Sequence, residues 1–239
     1  MIKSSLKTKK SFFLRLAASS FVILCLFFLV SYAENFADKT VVTGDVLEVL
    51  KSGEIIISKG GSKAVSGKNT VKADEMTYNR KDSILSAVGN VRIFSKTDEN
   101  EPVEAYGSYA DYNMEAGRGK LWGDKTNVKY FMKTSSAPLI LNAREIVLNR
   151  NLETIDAYKN VEVITSSGVI YSDNALFEKK NEAVYFNKGE KRPVADVNYD
   201  GRKGVYEADK MTFYNSDKNK KIVMSGSVEA KIEMDDKIQ

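Results

Sequence analysis

The sequence predicts a single all-β domain, an elongated antiparallel sheet built from about six degenerate two-strand repeats. Three observations carry that expectation. In the stretch Ala73 to Ile93 (ADEMTYNRKDSILSAVGNVRI), Met76 and Tyr78 alternate with polar neighbours. Ile84 to Val88 is a short apolar run, and Val91-Arg92-Ile93 restarts the alternation. This is the period-2 signature of half-buried strands. The same stretch recurs along the chain. Beyond the N-terminal segment, no window has the sustained i, i+3, i+4 apolar spacing of a helix.

The recurrence is regular enough to count. Small residues stand at Gly44, Ala73, Gly107, Ala143, Ser172 and Ala208, and five residues after each comes an apolar side chain: Val49, Tyr78, Tyr112, Leu148, Phe177 and Phe213. Glycine returns sixteen residues after the start at Gly60, Gly89 and Gly123, and with a slip of one or two at Gly189 and Gly226. Lys159-Asn160 fills that slot in the fourth unit. The starts lie 29, 34, 36, 29 and 36 residues apart, a period that marks stacked repeats in which each unit covers its neighbour's apolar face. Gly89-Asn90 has strong turn chemistry, so each unit reads as hairpin-like.

Taken in order, the first strands are expected at Val46–Leu50, Glu54–Ser58, Glu75–Tyr78, Ile84–Val88 and Val91–Phe94, where apolar and β-branched residues alternate or cluster. The same pattern places strands at Tyr109–Tyr112, Asn127–Met132, Ile146–Leu148, Val161–Thr165, Gly168–Tyr171, Ala175–Phe177 and Ala183–Phe186. The last are expected at Val205–Ala208, Met211–Phe213, Ile222–Met224 and Val228–Ile232. Clusters of Gly, Asn, Asp and Lys separate them, and the three prolines, at 102, 138 and 193, fall between strands. No linker divides the chain, so residues 34–239 are expected to form one domain.

Residues 1–33 read as a targeting segment. Lys3, Lys7, Lys9, Lys10 and Arg15 precede an apolar run from Leu16 to Val30, and Ser31-Tyr32-Ala33 offers small residues where a signal peptidase reads. Cleavage before Glu34 and export to the periplasm are expected. The alternative is a retained membrane anchor facing the periplasm, although fifteen apolar residues is short of the ~20 that span a bilayer. Five of the 36 Lys and Arg lie in this segment and none of the 32 Asp and Glu, leaving 31 basic against 32 acidic residues in the remainder. That balance removes the basic stripe a nucleic-acid partner would need. The only cysteine, Cys25, sits inside the apolar run, so the exported part has no disulfide.

The chain has no histidine, which excludes a Ser-His-Asp triad and, with no cysteine in the exported part, a zinc site. Two phosphate-loop lookalikes fail: Gly119-Lys120 has Met114 and Leu121, and Gly67-Lys68 has Ser62 and Asn69, where the motif needs Gly and Ser or Thr. Asp74, Asp173 and Asp209 offer carboxylates for a glycosidase pair, but their recurrence at one place in successive units points to a turn or strand-start role. No catalytic residue, metal ligand or cofactor is expected, and the chain does not read as an enzyme. What remains is surface.

The candidate ligand-binding residues are the apolar ones that recur: Met76, Tyr78, Tyr112, Ile146, Leu148, Phe177, Met211 and Phe213, joined by Val91, Ile93, Val161 and Val163. Their alternation directs them to one side of the sheet. They either fill a core or line a trough too wide for side chains to fill, which would suit a lipid with several acyl chains. The end strands near Val46–Leu50 and Val228–Ile232 are expected to leave edges open to head-to-tail pairing with another copy.

The segments G-D-V-L-E-V, A-D-E-M-T-Y…G-N-V-R-I, S-D-N-A-L-F and A-D-K-M-T-F…S-G-S-V-E-A resemble the OstA-like (LptA) family. Its pattern is an A-D-x-apolar-x-aromatic strand followed by a G-N-V strand, after a cleavable signal. The resemblance covers nearly all of residues 43–232. It implies a β-jellyroll, or folded-over sheet, that holds the lipid A acyl chains of lipopolysaccharide and carries them across the periplasm to the outer membrane. It also implies end-to-end stacking between an LptC-like inner-membrane protein and an LptD-like outer-membrane protein. The alternatives are the LptC-like member, which keeps its membrane anchor, and a structural β-repeat envelope protein that carries no lipid.

Overall fold

The small residue that opens each repeat and the glycine slot that follows it both sit at kinks, and the kinks organise the molecule. The computed structural model describes residues 40–150, 153–199 and 202–232. The expected signal segment, residues 1–33, lies outside them. Among the described residues there is one sixteen-stranded antiparallel sheet and no α-helix. Its strands are β1 (Val41–Thr43), β2 (Val46–Leu50), β3 (Ile55–Ser66), β4 (Asn69–Asn79), β5 (Ile84–Lys96), β6 (Pro102–Asn113), β7 (Arg118–Tyr130) and β8 (Leu139–Asn149). They continue as β9 (Thr154–Thr165), β10 (Gly168–Glu178), β11 (Ala183–Asn187), β12 (Val194–Tyr199), β13 (Arg202–Glu207), β14 (Lys210–Tyr214), β15 (Lys221–Ser225) and β16 (Glu229–Ile232).

Each long strand breaks register once near its middle. Between β4 and β5, Lys72 pairs with Arg92 and Glu75 with Val88, so β5 carries an extra residue. Equivalent slips fall at Lys59/Ser62 of β3, Tyr106/Tyr109 of β6, Trp122/Thr126 of β7, Asn142/Glu145 of β8 and Ser172/Asn174 of β10. Bulges bend the strand that bears them. Aligned across neighbouring strands, they crease the whole sheet and give every strand two arms.

At both ends the sheet forks along this crease. The first arm of β3 pairs with β2 and its second arm with β1, while the two arms of β10 pair with β12 and β11. The short strands are therefore single arms: β1 with β2, β11 with β12, β13 with β14, and β15 with β16 each form one bent strand. Twelve bent strands result, two for each of the six repeats. The predicted two-strand period and antiparallel, folded-over architecture match this sheet.

One local expectation is corrected. Gly89-Asn90 does not turn the chain back; it is the bulge in the middle of β5, and the hairpin lies earlier, at residues 80–83. Both residues take left-handed backbone angles, with φ of 76° and 47°, which a turn and a bulge demand alike. Asn90 Nδ2 donates to Asp74 Oδ2 across the crease at 2.8 Å, and a Cβ on Gly89 would collide with that same carboxylate. The recurring aspartates are thus crease partners rather than strand starts. The same close approach recurs for Asp45 with Gly60, Asp173 with Gly189 and Asp209 with Gly226. In the fourth repeat Lys159 and Asn160 take the same conformation, with φ of 66° and 55°. There Arg144 occupies the aspartate's place in the register, so the kink survives without glycine.

Creasing turns one apolar face into two that meet. Tyr130, on the second arm of β7, touches the ring of Phe177, on the opposite arm of β10, edge-on at 5.2 Å between centroids. A single buried cluster runs from Ala64 to Phe213 and draws on both sets of arms. Burying each large side chain of this kind contributes about 1.5–3 kcal/mol. The hairpin loops form two rims, and opposite the crease these rims come together along a seam.

The crease supplies the first test. Gly89→Ala should destabilise the domain by about 1–3 kcal/mol, since it adds both a strained φ and a contact with Asp74. Lys159→Ala, which already carries a Cβ in the same conformation, should stay within about 0.5 kcal/mol of wild type. Urea unfolding measures both.

Candidate functional site

The interior between the two sets of arms is the candidate site. All twelve sequence-predicted residues face it, and none is more than 8 % exposed. They occupy two walls. Met76, Tyr78, Tyr112, Ile146, Leu148, Phe177, Met211 and Phe213 lie on the arms that run to the rim at residues 80–83, 114–117 and 179–182. Val91, Ile93, Val161 and Val163 lie on the opposite arms. Residues on one face of a flat sheet become facing walls once the sheet folds.

Sequence reasoning missed part of the lining. Leu85, Leu121, Tyr130, Leu141, Ile155 and Ile170 are as deeply buried as the predicted set. Their signal was present in the same alternation, as in Leu139-x-Leu141 and Ile155-x-Ala157, but these arms lack the A-D motif that drew attention to the others.

Among the described residues the two walls are closely packed against each other. At the seam lies a mostly apolar cavity of about 60 Å³, lined by Tyr112, Tyr130, Leu148, Ile155, Phe177 and others. That is too small for an acyl chain, so a lipid chain would have to part the two walls.

Above this cavity the seam is closed by charge. Lys179 Nζ lies 3.0 Å from Glu153, 3.3 Å from Glu99 and 3.5 Å from Glu101. Lys179 and Glu153 belong to one rim; Glu99 and Glu101 belong to the other. The Glu101 side chain, only 3 % exposed, accepts from the Tyr130 hydroxyl and, at 2.9 Å, from the backbone N–H of Lys133. Burial alone would raise the Glu101 pKa, but these two donors and the Lys179 charge together hold it below its ordinary value. Burial also opposes the Lys179 charge, yet hydrogen bonds to Glu153 and Glu99 and the surrounding carboxylates leave its pKa raised. Burial, then the bond to Glu101, pushes Tyr130 far up, so its hydroxyl stays a donor.

Further along, Asp217 closes the same seam: its N–H donates to Thr134 O at 3.0 Å and its carboxylate accepts from Ser136 N–H at 2.8 Å. Towards the N-terminal end, Tyr78 Oη donates to Thr40 Oγ1 at 3.2 Å. The crease aspartates stay apart, each held in its own repeat, and among the described residues no group of His, Cys, Asp or Glu is placed to hold a metal ion.

Among the described residues both ends of the sheet are open: β2 pairs only with β3, β15 only with β14 and β16 only with β13. Every residue of β2 and β16 is exposed, and Leu47, Val49, Val223 and Ile232 present apolar side chains there. Arg192 holds the far edge in place, bonding Glu207 at 2.7 Å, Glu229 at 2.9 Å and the Ser227 carbonyl at 2.7 Å.

Together these features define a folded-over antiparallel sheet with an apolar interior, a polar seam and two open ends. No sequence family matches the chain, and no curated protein matches it by sequence. Among solved structures it is similar to LptH of Pseudomonas aeruginosa, described as the LptA-homologous periplasmic component of the lipopolysaccharide transport device. The identity is 14 % and the TM-score 0.47, over 54 % of this chain and 96 % of that one.

The charge cluster supplies a pH test. Because the folded pKa of Glu101 is depressed, its contribution is fully present above its unfolded value, near 4.5, and is lost as pH falls through the lower folded value. Glu101→Gln should therefore cost roughly 1–3 kcal/mol at neutral pH, as lost bonds to a charged group do. The gap from wild type should close in acid below 4.5. Paired thermal melts across pH read this directly.

Proposed function

We propose that this chain is a periplasmic lipid carrier that holds the acyl chains of lipopolysaccharide between its two walls on the way to the outer membrane. The observation that carries the reading is, among the described residues, one continuous apolar interior, enclosed by two facing walls and ending in unpaired strand edges. An apolar interior suits acyl chains, and open edges suit end-to-end addition of a second copy or of a like-folded neighbour. The A-D-x-apolar-x-aromatic and G-N-V segments, which resemble the OstA-like family, point the same way. On this reading residues 1–33 are a cleaved signal, and the neighbours at the two ends are an LptC-like inner-membrane protein and an LptD-like outer-membrane protein. Among the described residues no helix is long and apolar enough to cross a membrane.

A second reading rests on the packed interior. With a seam cavity of about 60 Å³ among its buried apolar residues, the chain could serve as a structural β-repeat protein that stacks through its edges and carries no lipid. Copurification separates the two. Mass spectrometry of protein purified from its own envelope should find a mature N-terminus at or near Glu34 and bound lipopolysaccharide. Protein that emerges stacked and free of lipid would favour the structural reading, and residues 1–33 still attached would favour an anchored, LptC-like role.

Edge stacking is tested separately. Val49 is 63 % exposed on β2, so Leu47→Lys with Val49→Lys should leave the melting midpoint unchanged while placing charge on the edge. Light scattering over a concentration series should show the wild type growing in mass and the double variant remaining monomeric. If the wild type also stays monomeric, stacking through this edge is wrong.

A further inference from the structure

Three features of the seam converge beside the apolar cavity. The closure there is made by side chains: among the described residues one backbone hydrogen bond crosses the seam, from Asp217 to Thr134. Ion pairs and hydroxyl bonds exchange for water when a seam parts, whereas an apolar closure would expose its whole surface. Asn215, in the turn that carries Asp217, keeps a buried Nδ2 without a partner, so that turn is not fully satisfied when shut. Finally, Lys96 on one rim and Arg150 on the other both line the cavity, and neither has an ion-pair partner among the described residues.

We infer that the seam over the Tyr112, Tyr130, Leu148 and Phe177 cavity is a lateral portal, through which a single acyl chain of an anionic amphiphile passes sideways into the interior. The inference rests on the lipid-carrying reading above and deepens it: the chain need not thread from the open ends. The Lys179 cluster and the 131–138 strap hold the portal shut. When they part, the cavity is the first apolar space the chain meets. The anionic head group then stays outside between Lys96 and Arg150, spanning the two rims that Lys179 bridged. An apolar core has no use for unpaired cations at its edge, but an amphiphile with a negative head does. Passage by brief opening requires only a minor open state that the ligand selects.

Locking the seam tests the portal. The Ser136 hydroxyl lies 3.4 Å from the Asp217 carboxylate, so Ser136→Cys with Asp217→Cys, in a Cys25→Ser background of the full chain, places two thiols across the rims. The probe is dansylated undecanoic acid, followed by stopped-flow fluorescence with each protein measured oxidised and reduced. The oxidised form should take up the probe about tenfold more slowly or worse, because its open state is depleted, and reduction should restore the rate. Lys179→Gln should speed uptake. Equal rates in the oxidised and reduced forms overturn the portal and leave the ends as the route. Absence of uptake by every form, wild type included, overturns the carrier reading and the portal with it. The head-group position is read separately: Arg150→Gln should weaken binding of the carboxylate probe but not of its methyl ester. Equal weakening of both removes Arg150 from that role.

Discussion

The crease is the constraint on which the rest depends. A flat sheet of this composition would expose its whole apolar face to water, and nothing in its hydrogen bonding would stop it. The bulges, carried mid-strand by β3, β5, β7 and β9, solve this by bending the sheet at one level. Each costs left-handed backbone at one or two residues, as at Gly89 and Asn90. Bulges only fold a sheet if they line up, and here alignment is enforced across neighbouring strands by small residues, by bonds such as Asn90 to Asp74, and by the sheet register itself. The repeat in the sequence is the repeat of this device.

Folding the sheet leaves two consequences that shape its use. The two walls meet and pack, so the described apolar interior is continuous. The rims meet as well, but they carry loops, and loops are polar because their backbone must reach water or a partner. An apolar interior therefore ends at a seam closed by Lys179, Glu101, Tyr130 and Asp217. Buried ion pairs of this kind are weak evidence for stability, since apolar contacts of the same volume often do as well. In the proposed portal their role is to separate.

The open ends follow from the same architecture. A creased sheet does not close on itself as a barrel does, so among the described residues its first and last strands keep free backbone groups. β2 and β16 are short and fully exposed, and the far edge depends on β13 and on the three bonds of Arg192. The proposed sideways passage and end-to-end stacking involve different parts of the surface and would not compete.

Alternation and period are local properties, and they were legible in the chain alone. Met76 and Tyr78, or Val161 and Val163, could be assigned to a buried face because side chains on a strand point to opposite sides at every step. The two-strand period was visible because each unit repeats the same kink. Gly89-Asn90 was misread as a turn because turn and bulge ask for the same left-handed backbone; only the strands pairing on either side decide whether the chain reverses. The packed interior and its seam cavity could not be read at all, since volume depends on how closely the two walls approach. Nor could the seam cluster: the Glu99-Glu101 stretch lies far in the chain from Glu153 and Lys179, and it meets them only because folding the sheet brings its two rims together.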